Sequence, residues 1–266
     1  MSRLQEWLTS IEEQGYRGAN ARARLCQDIV LEAISKGKLS RPVTIKGGVV
    51  MRSLTGDIRR ATQDMDIDFI RYSLADEAIR RFIDDINVFE DFHIELVGTI
   101  EPLKHQDYHG KSITIRISDD NGMTIDSKID LGVHKDLTIQ QEEYCFDVCM
   151  DDEGASLLIN SREQMLTEKL RSLLKFGPLS TRFKDIFDIC YLVDHVDRHT
   201  LDDCINHYIF SDEDMRENNY HEIVKRLQGT FSNRRYQSRI KTSRKNWLGI
   251  KEQEAFQKIL GFFQEY

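Results

Sequence analysis

The sequence predicts an α+β fold in which a sheet is flanked by helices and followed by a helical segment. Three observations predict it. Residues 93–97 and 112–117 alternate apolar and polar side chains with the period of two that a half-buried strand needs. Residues 2–14, 20–35 and 74–86 read instead as helices. Beyond Asp151-Asp152-Glu153-Gly154, a polar stretch expected to be a boundary loop, the helical pattern continues to the end. The expected domains are therefore residues 1–154 and 155–266.

Each element has its own signals. In the second helix Leu25, Ile29, Val30, Ala33 and Ile34 supply much of an apolar face, and Gly37 is a suitable stop. This predicts a helical lid packed on the sheet. A short apolar strand, residues 43–45, runs into Gly47 and Gly48, and a helical turn follows. Ser73 is the expected N-cap of the helix over residues 74–86. Asp119-Asp120-Asn121-Gly122 is a turn signal, so residues 112–117 and 123–131 form an antiparallel hairpin. Ser161, three residues before Gln164, makes a capping box for a helix through residue 174. After Gly177-Pro178 another helix covers residues 182–192.

Composition narrows the function classes. With 266 residues, 40% of them hydrophobic and 31% charged, the chain has ample material for a core and reads as soluble and globular. No apolar run is long enough for a membrane span, and the first residues lack a signal-peptide layout. The five cysteines include no Cys-x-x-Cys and read as reduced thiols, which predicts a cytoplasmic protein without a zinc site. A net charge of −8 argues against a surface coated in phosphate contacts.

The chemistry concentrates in two neighbouring stretches. Asp64, Asp66 and Asp68 alternate along a strand and would share one face. Like charges so close repel unless a cation sits among them, and Mg²⁺ prefers carboxylate oxygen. Just upstream, Gly47 and Gly48 lack a Cβ, so backbone N–H groups at a helix start can approach phosphate oxygens. A phosphate cradle beside a metal-binding strand describes a site for a nucleoside triphosphate.

These motifs resemble the nucleotidyltransferase superfamily and, within it, the AbiEii/AbiGii abortive-infection toxin family. The resemblance rests on Lys46-Gly47-Gly48-Val49-Val50-Met51, then Arg60-Ala61-Thr62-Gln63-Asp64-Met65-Asp66-Ile67. Two later pieces follow in the family's order, one around Glu163 to Leu170 and one over Arg182-Phe183-Lys184-Asp185-Ile186-Phe187-Asp188. The resemblance implies a mixed nucleotidyltransferase sheet and a C-terminal helical bundle that contributes to the active-site cleft. It implies one or two Mg²⁺ ions on Asp64 and Asp66, with Asp130 as third carboxylate and Asp126 as its alternative on the same face. It further implies nucleotide binding by Lys46, Gly47, Gly48, Arg52, Lys169 and Asp185, with Lys169 also in catalysis. Asp188 reads as structural, paired with Lys184 one turn back. The implied reaction moves a nucleoside monophosphate from NTP to the 3′ end of tRNA, in a toxin restrained by a cognate antitoxin. One departure stands out: Val49 replaces the hydroxyl residue that often follows the glycines.

Two other functions share these features. A degenerate fold would only bind NTP or RNA, and a protein or small molecule could replace tRNA as acceptor. A metal-dependent nuclease or phosphohydrolase would use the carboxylates but leave the glycine pair and Lys169 idle. Residues 225–245 carry eight basic residues and no acidic one, with Phe231 and Tyr236 interleaved and Trp247 just after. That mixture suits phosphate contacts and base stacking, or an acidic partner protein. His105 and His109, four apart in a loop-like stretch, make a poor zinc pair.

Overall fold

A computed structural model describes residues 2–38, 40–103, 110–134 and 138–266, so His105 and His109 lie outside the described residues. The chain forms two compact units, Met1–Asn160 and Ser161–Tyr266.

The first unit opens with helices α1 (Arg3–Glu13) and α2 (Gly18–Lys36). Strand β1 (Val43–Lys46) runs directly into α3 (Gly47–Thr55), and β2 (Met65–Ile70) and α4 (Asp76–Asp85) follow. Five more strands complete the unit: β3 (Phe92–Pro102), β4 (Lys111–Asp119), β5 (Thr124–His134), β6 (Glu142–Val148) and β7 (Asp151–Ile159). They form one seven-stranded sheet in the order β3-β4-β5-β2-β1-β7-β6. The β1–β7 and β2–β5 pairs are parallel and the others antiparallel, so the sheet is mixed, and the β4–β5 hairpin is the expected one.

Alternation along the strands sorts the sheet into two faces. Ile45, Ile67, Phe69, Ile113, Ile115, Ile129 and Leu131 are buried on one of them. There α4 packs against β3, with Phe82 edge-on to Phe69, and α2 packs against β5. Helix α2 is buried around most of its circumference: its polar side chains go inward too, Gln27 donating to the carbonyls of Thr62 and Asp64. The opposite face of β1, β2 and β5 carries Thr44, Lys46, Asp66, Asp68, Lys128 and Asp130.

Two local expectations need correction. Residues 151–154 are not a loop but the start of β7. Only Thr44 and Ile45 of β1 pair with β7, at Leu158 and Ile159. The acidic end of the strand extends past that pairing into a hairpin with β6, where Asp152 and Glu153 are exposed and Asp151 pairs with Lys36 at 3.3 Å. Ser73 does not cap α4: its hydroxyl accepts from the N–H of Ala75, which is itself the N-cap residue.

The second unit is helical. It comprises α5 (Arg162–Phe176), α6 (Phe183–Leu192), α7 (Arg198–Ile205), α8 (Tyr220–Phe231), α9 (Arg234–Thr242) and α10 (Glu252–Gln264). Ser161 caps α5, accepting from the Gln164 N–H at 3.1 Å, while the Gln164 amide donates to Glu168 and Tyr208. Leu170, Ile186, Leu227, Phe231, Tyr236, Phe256 and Ile259 build its core.

Candidate active site

The site starts at the β1–α3 junction. Gly47 has φ +66°, a left-handed conformation that costs little only without a Cβ. A Cβ there would lie 2.2 Å from Oδ2 of Asp66, and one on Gly48 would lie 2.5 Å from the Thr62 hydroxyl. The glycine pair thus lets Asp66 and Thr62 close on the first turn of α3. Its leading N–H groups lack helical partners, and the positive end of the helix dipole faces the same way. Val49 is fully buried and contributes to the core rather than to this turn.

The carboxylates come next. Asp66 on β2 lies in register with Asp130 on the parallel neighbour β5, so both side chains stand on one face. Asp64 sits just before β2 and is exposed. Among the described residues no three acidic, histidine or cysteine side chains form a ready metal cluster. The Asp66–Asp130 pair nevertheless fits Mg²⁺, which takes one or two carboxylates and completes its shell with water and phosphate oxygen. Asp130 is mostly buried, and its one described ionic partner is Lys128, 3.0 Å from Oδ1. Asp126, the alternative third carboxylate, is engaged bidentately by Arg116, which holds its carboxyl below the usual range.

Two of the basic side chains expected to hold phosphate sit in buried ion pairs. Lys46 is buried and lies 2.8 Å from Asp68, the neighbour outside the metal pair. Arg52 turns away from the first turn of α3 altogether. It is buried facing Asp28 of α2 at 3.6 Å, and burial, then the nearby charge of Arg24, lowers its pKa to about 10. Arg24 meets Asp28 at 2.8 Å, so Asp28 joins both arginines in a buried acid–base cluster.

In the helical unit Lys169 on α5 bridges two carboxylates of α6, Asp185 at 2.9 Å and Asp188 at 2.8 Å. Asp188 is fully buried and also accepts from the indole N–H of Trp247 at 2.9 Å. Its structural role was legible, but Lys169 and Trp247 are partners that sequence reasoning missed. The missed signal was a Trp ending the basic stretch. In that stretch Phe231, Tyr236 and Trp247 all belong to the core, so the expected stacking platform does not exist. Arg226 and Arg239 donate to the carbonyls of Leu174 and Pro178, whereas Lys225, Arg234, Arg235, Lys241, Arg244 and Lys245 remain exposed.

A mixed sheet with carboxylates on adjacent strands beside a glycine-started helix defines a nucleotidyltransferase-like α+β protein. The family model described as Nucleotidyl transferase AbiEii toxin, Type IV TA system, matches residues 29–260. The chain belongs to that family. Among curated proteins none matches it.

Proposed function

We propose that this protein transfers a nucleoside monophosphate from an NTP to the 3′ end of tRNA in the cytoplasm, with Mg²⁺, as a toxin held in check by a cognate antitoxin. The observation that carries the reading is Asp66 in register with Asp130, its carboxylate packed on Gly47 at the start of α3. Asp66 and Asp130, with Asp64 beside them in sequence, are the residues that would hold the metal. Bound Mg²⁺ would neutralise charge on the α-phosphate and acidify the acceptor hydroxyl.

The chain's own groups do the rest. The free N–H groups of the first turn of α3 donate to phosphate oxygens. Lys169, held in place by Asp185 and Asp188, is the proposed counter-charge for the triphosphate. The acceptor oxygen bonds to the α-phosphorus as the bridging oxygen to the β-phosphorus departs with pyrophosphate. The hydroxyl proton passes to a site carboxylate. Positioning and charge neutralisation supply most of the rate gain. The RNA acceptor is supported by the exposed cations of residues 225–245. With the aromatics in the core, this surface would hold RNA by charge, and affinity would fall steeply with salt.

A second reading, a fold that binds nucleotide without chemistry, is favoured by the engagement of Lys46 and Arg52 in buried ion pairs. One experiment separates the two. Each α-³²P NTP is incubated with Mg²⁺, total RNA and total protein, using wild type and Asp66→Asn. Label on small RNA that disappears in the variant supports the proposal. Label on protein replaces the acceptor, and bound NTP with no transfer supports the binding reading.

A further inference from the structure

Lys128 stands on the same sheet face as the proposed metal ligands, two residues before Asp130 on β5. Its ammonium spans both oxygens of Asp130, at 3.0 Å from Oδ1 and 3.4 Å from Oδ2. Asp66 of β2 is in register with Asp130, so it stands on this face beside the Lys128–Asp130 pair. On the other side, its β4 neighbour is the neutral Thr114, and Asp130 faces Ser112. On the same face Lys46 lies 2.8 Å from Asp68, and Arg116 lies 2.8 Å from Asp126. Half the Lys128 side chain is exposed, so it can swing off Asp130 without disturbing the core.

We propose that Lys128 is a built-in counter-cation of this site, competing with a divalent ion for Asp130 and passing to the nucleotide's phosphates when metal and NTP enter together. The inference rests on reading Asp66 and Asp130 as metal ligands. It makes the site weak for metal alone and stronger for metal with NTP, because the displaced ammonium then gains a new anion.

The test measures Mn²⁺ binding to the full chain by paramagnetic resonance of the free ion, without nucleotide and with a non-hydrolysable NTP analogue. Wild type, Lys128→Met, Lys128→Gln, Lys128→Arg and Asp66→Asn are compared, each checked for cooperative unfolding. Removing one positive charge this close to the carboxylates should tighten Mn²⁺ alone about tenfold in both neutral variants. The same variants should bind the analogue more weakly in the presence of Mn²⁺, and Lys128→Arg should stay near wild type. A merely structural lysine would not move the two affinities in opposite directions. If Asp66→Asn abolishes Mn²⁺ binding but the neutral Lys128 variants leave it unchanged or weaker, the Lys128 inference is overturned and the metal site stands. If Asp66→Asn binds Mn²⁺ as wild type does, the metal reading fails, and the inference with it.

Discussion

At the scale of single residues, the site is a set of close approaches that only particular side chains permit. Gly47 combines a left-handed backbone with a Cα packed against the Asp66 carboxylate. Gly47→Ala therefore meets two penalties, backbone strain and a displaced Asp66. We expect a loss of roughly 1–3 kcal/mol in urea unfolding, with transfer activity falling further than stability alone explains. An Ala variant as stable and active as wild type would refute this account of the glycine pair. Lys46 and Arg52 teach the opposite lesson. Both were legible as cations near a glycine turn, yet Lys46 lies against Asp68 and Arg52 against Asp28. A basic side chain in sequence proximity to phosphate-binding backbone is no guide to the anion it meets.

At the scale of elements, patterning was informative wherever one face of an element is buried and the other wet. The β4–β5 hairpin follows from its alternation and the Asp119–Gly122 turn, and Gly122 has φ +82° as such a turn requires. Strand β7 escaped because its acidic beginning looks like a loop, and only its apolar end joins the parallel pairing with β1. Helix α5 was legible from its cap. Ser161 is buried, so its hydroxyl bond to the Gln164 N–H is shielded from water. Ser161→Ala should cost about 1 kcal/mol, seen as a lower urea midpoint at unchanged slope. An unchanged midpoint would contradict this account of the cap.

At the scale of the whole molecule, charge organisation sets the response to acid. Asp126 is held below its ordinary pKa by Arg116, Asp57 by Arg59, and Asp197, the N-cap of α7, by the backbone N–H of Thr200. A carboxylate whose folded pKa is depressed contributes stability above its unfolded pKa and loses it as pH falls through the folded value. The contribution of these three groups should thus hold flat above about pH 5 and decline below about pH 4, while Asp28, whose pKa burial raises, acts in the opposite sense. The individual terms are small because these groups are partly or largely exposed. Urea midpoints between pH 3 and 7 check this, and a midpoint that rises on acidification would contradict it.

Everything written into local chemistry could be read along the chain. That includes the α+β class, the strand that sets Asp66 and Asp68 on one face, the glycine start of α3, the cap of α5 and the resemblance to the AbiEii family. Tertiary structure alone decided which charges meet. It paired Lys169 with Asp185 and Asp188, set Trp247 on Asp188, drew Phe231 and Tyr236 into the core and set Asp130 beside Asp66. The reason is physical. Period, capping and turn preference act over a few residues and can be read along the chain. Ion pairing and burial depend on separations in space between residues far apart in sequence, and those separations exist only once the sheet and the helices have packed.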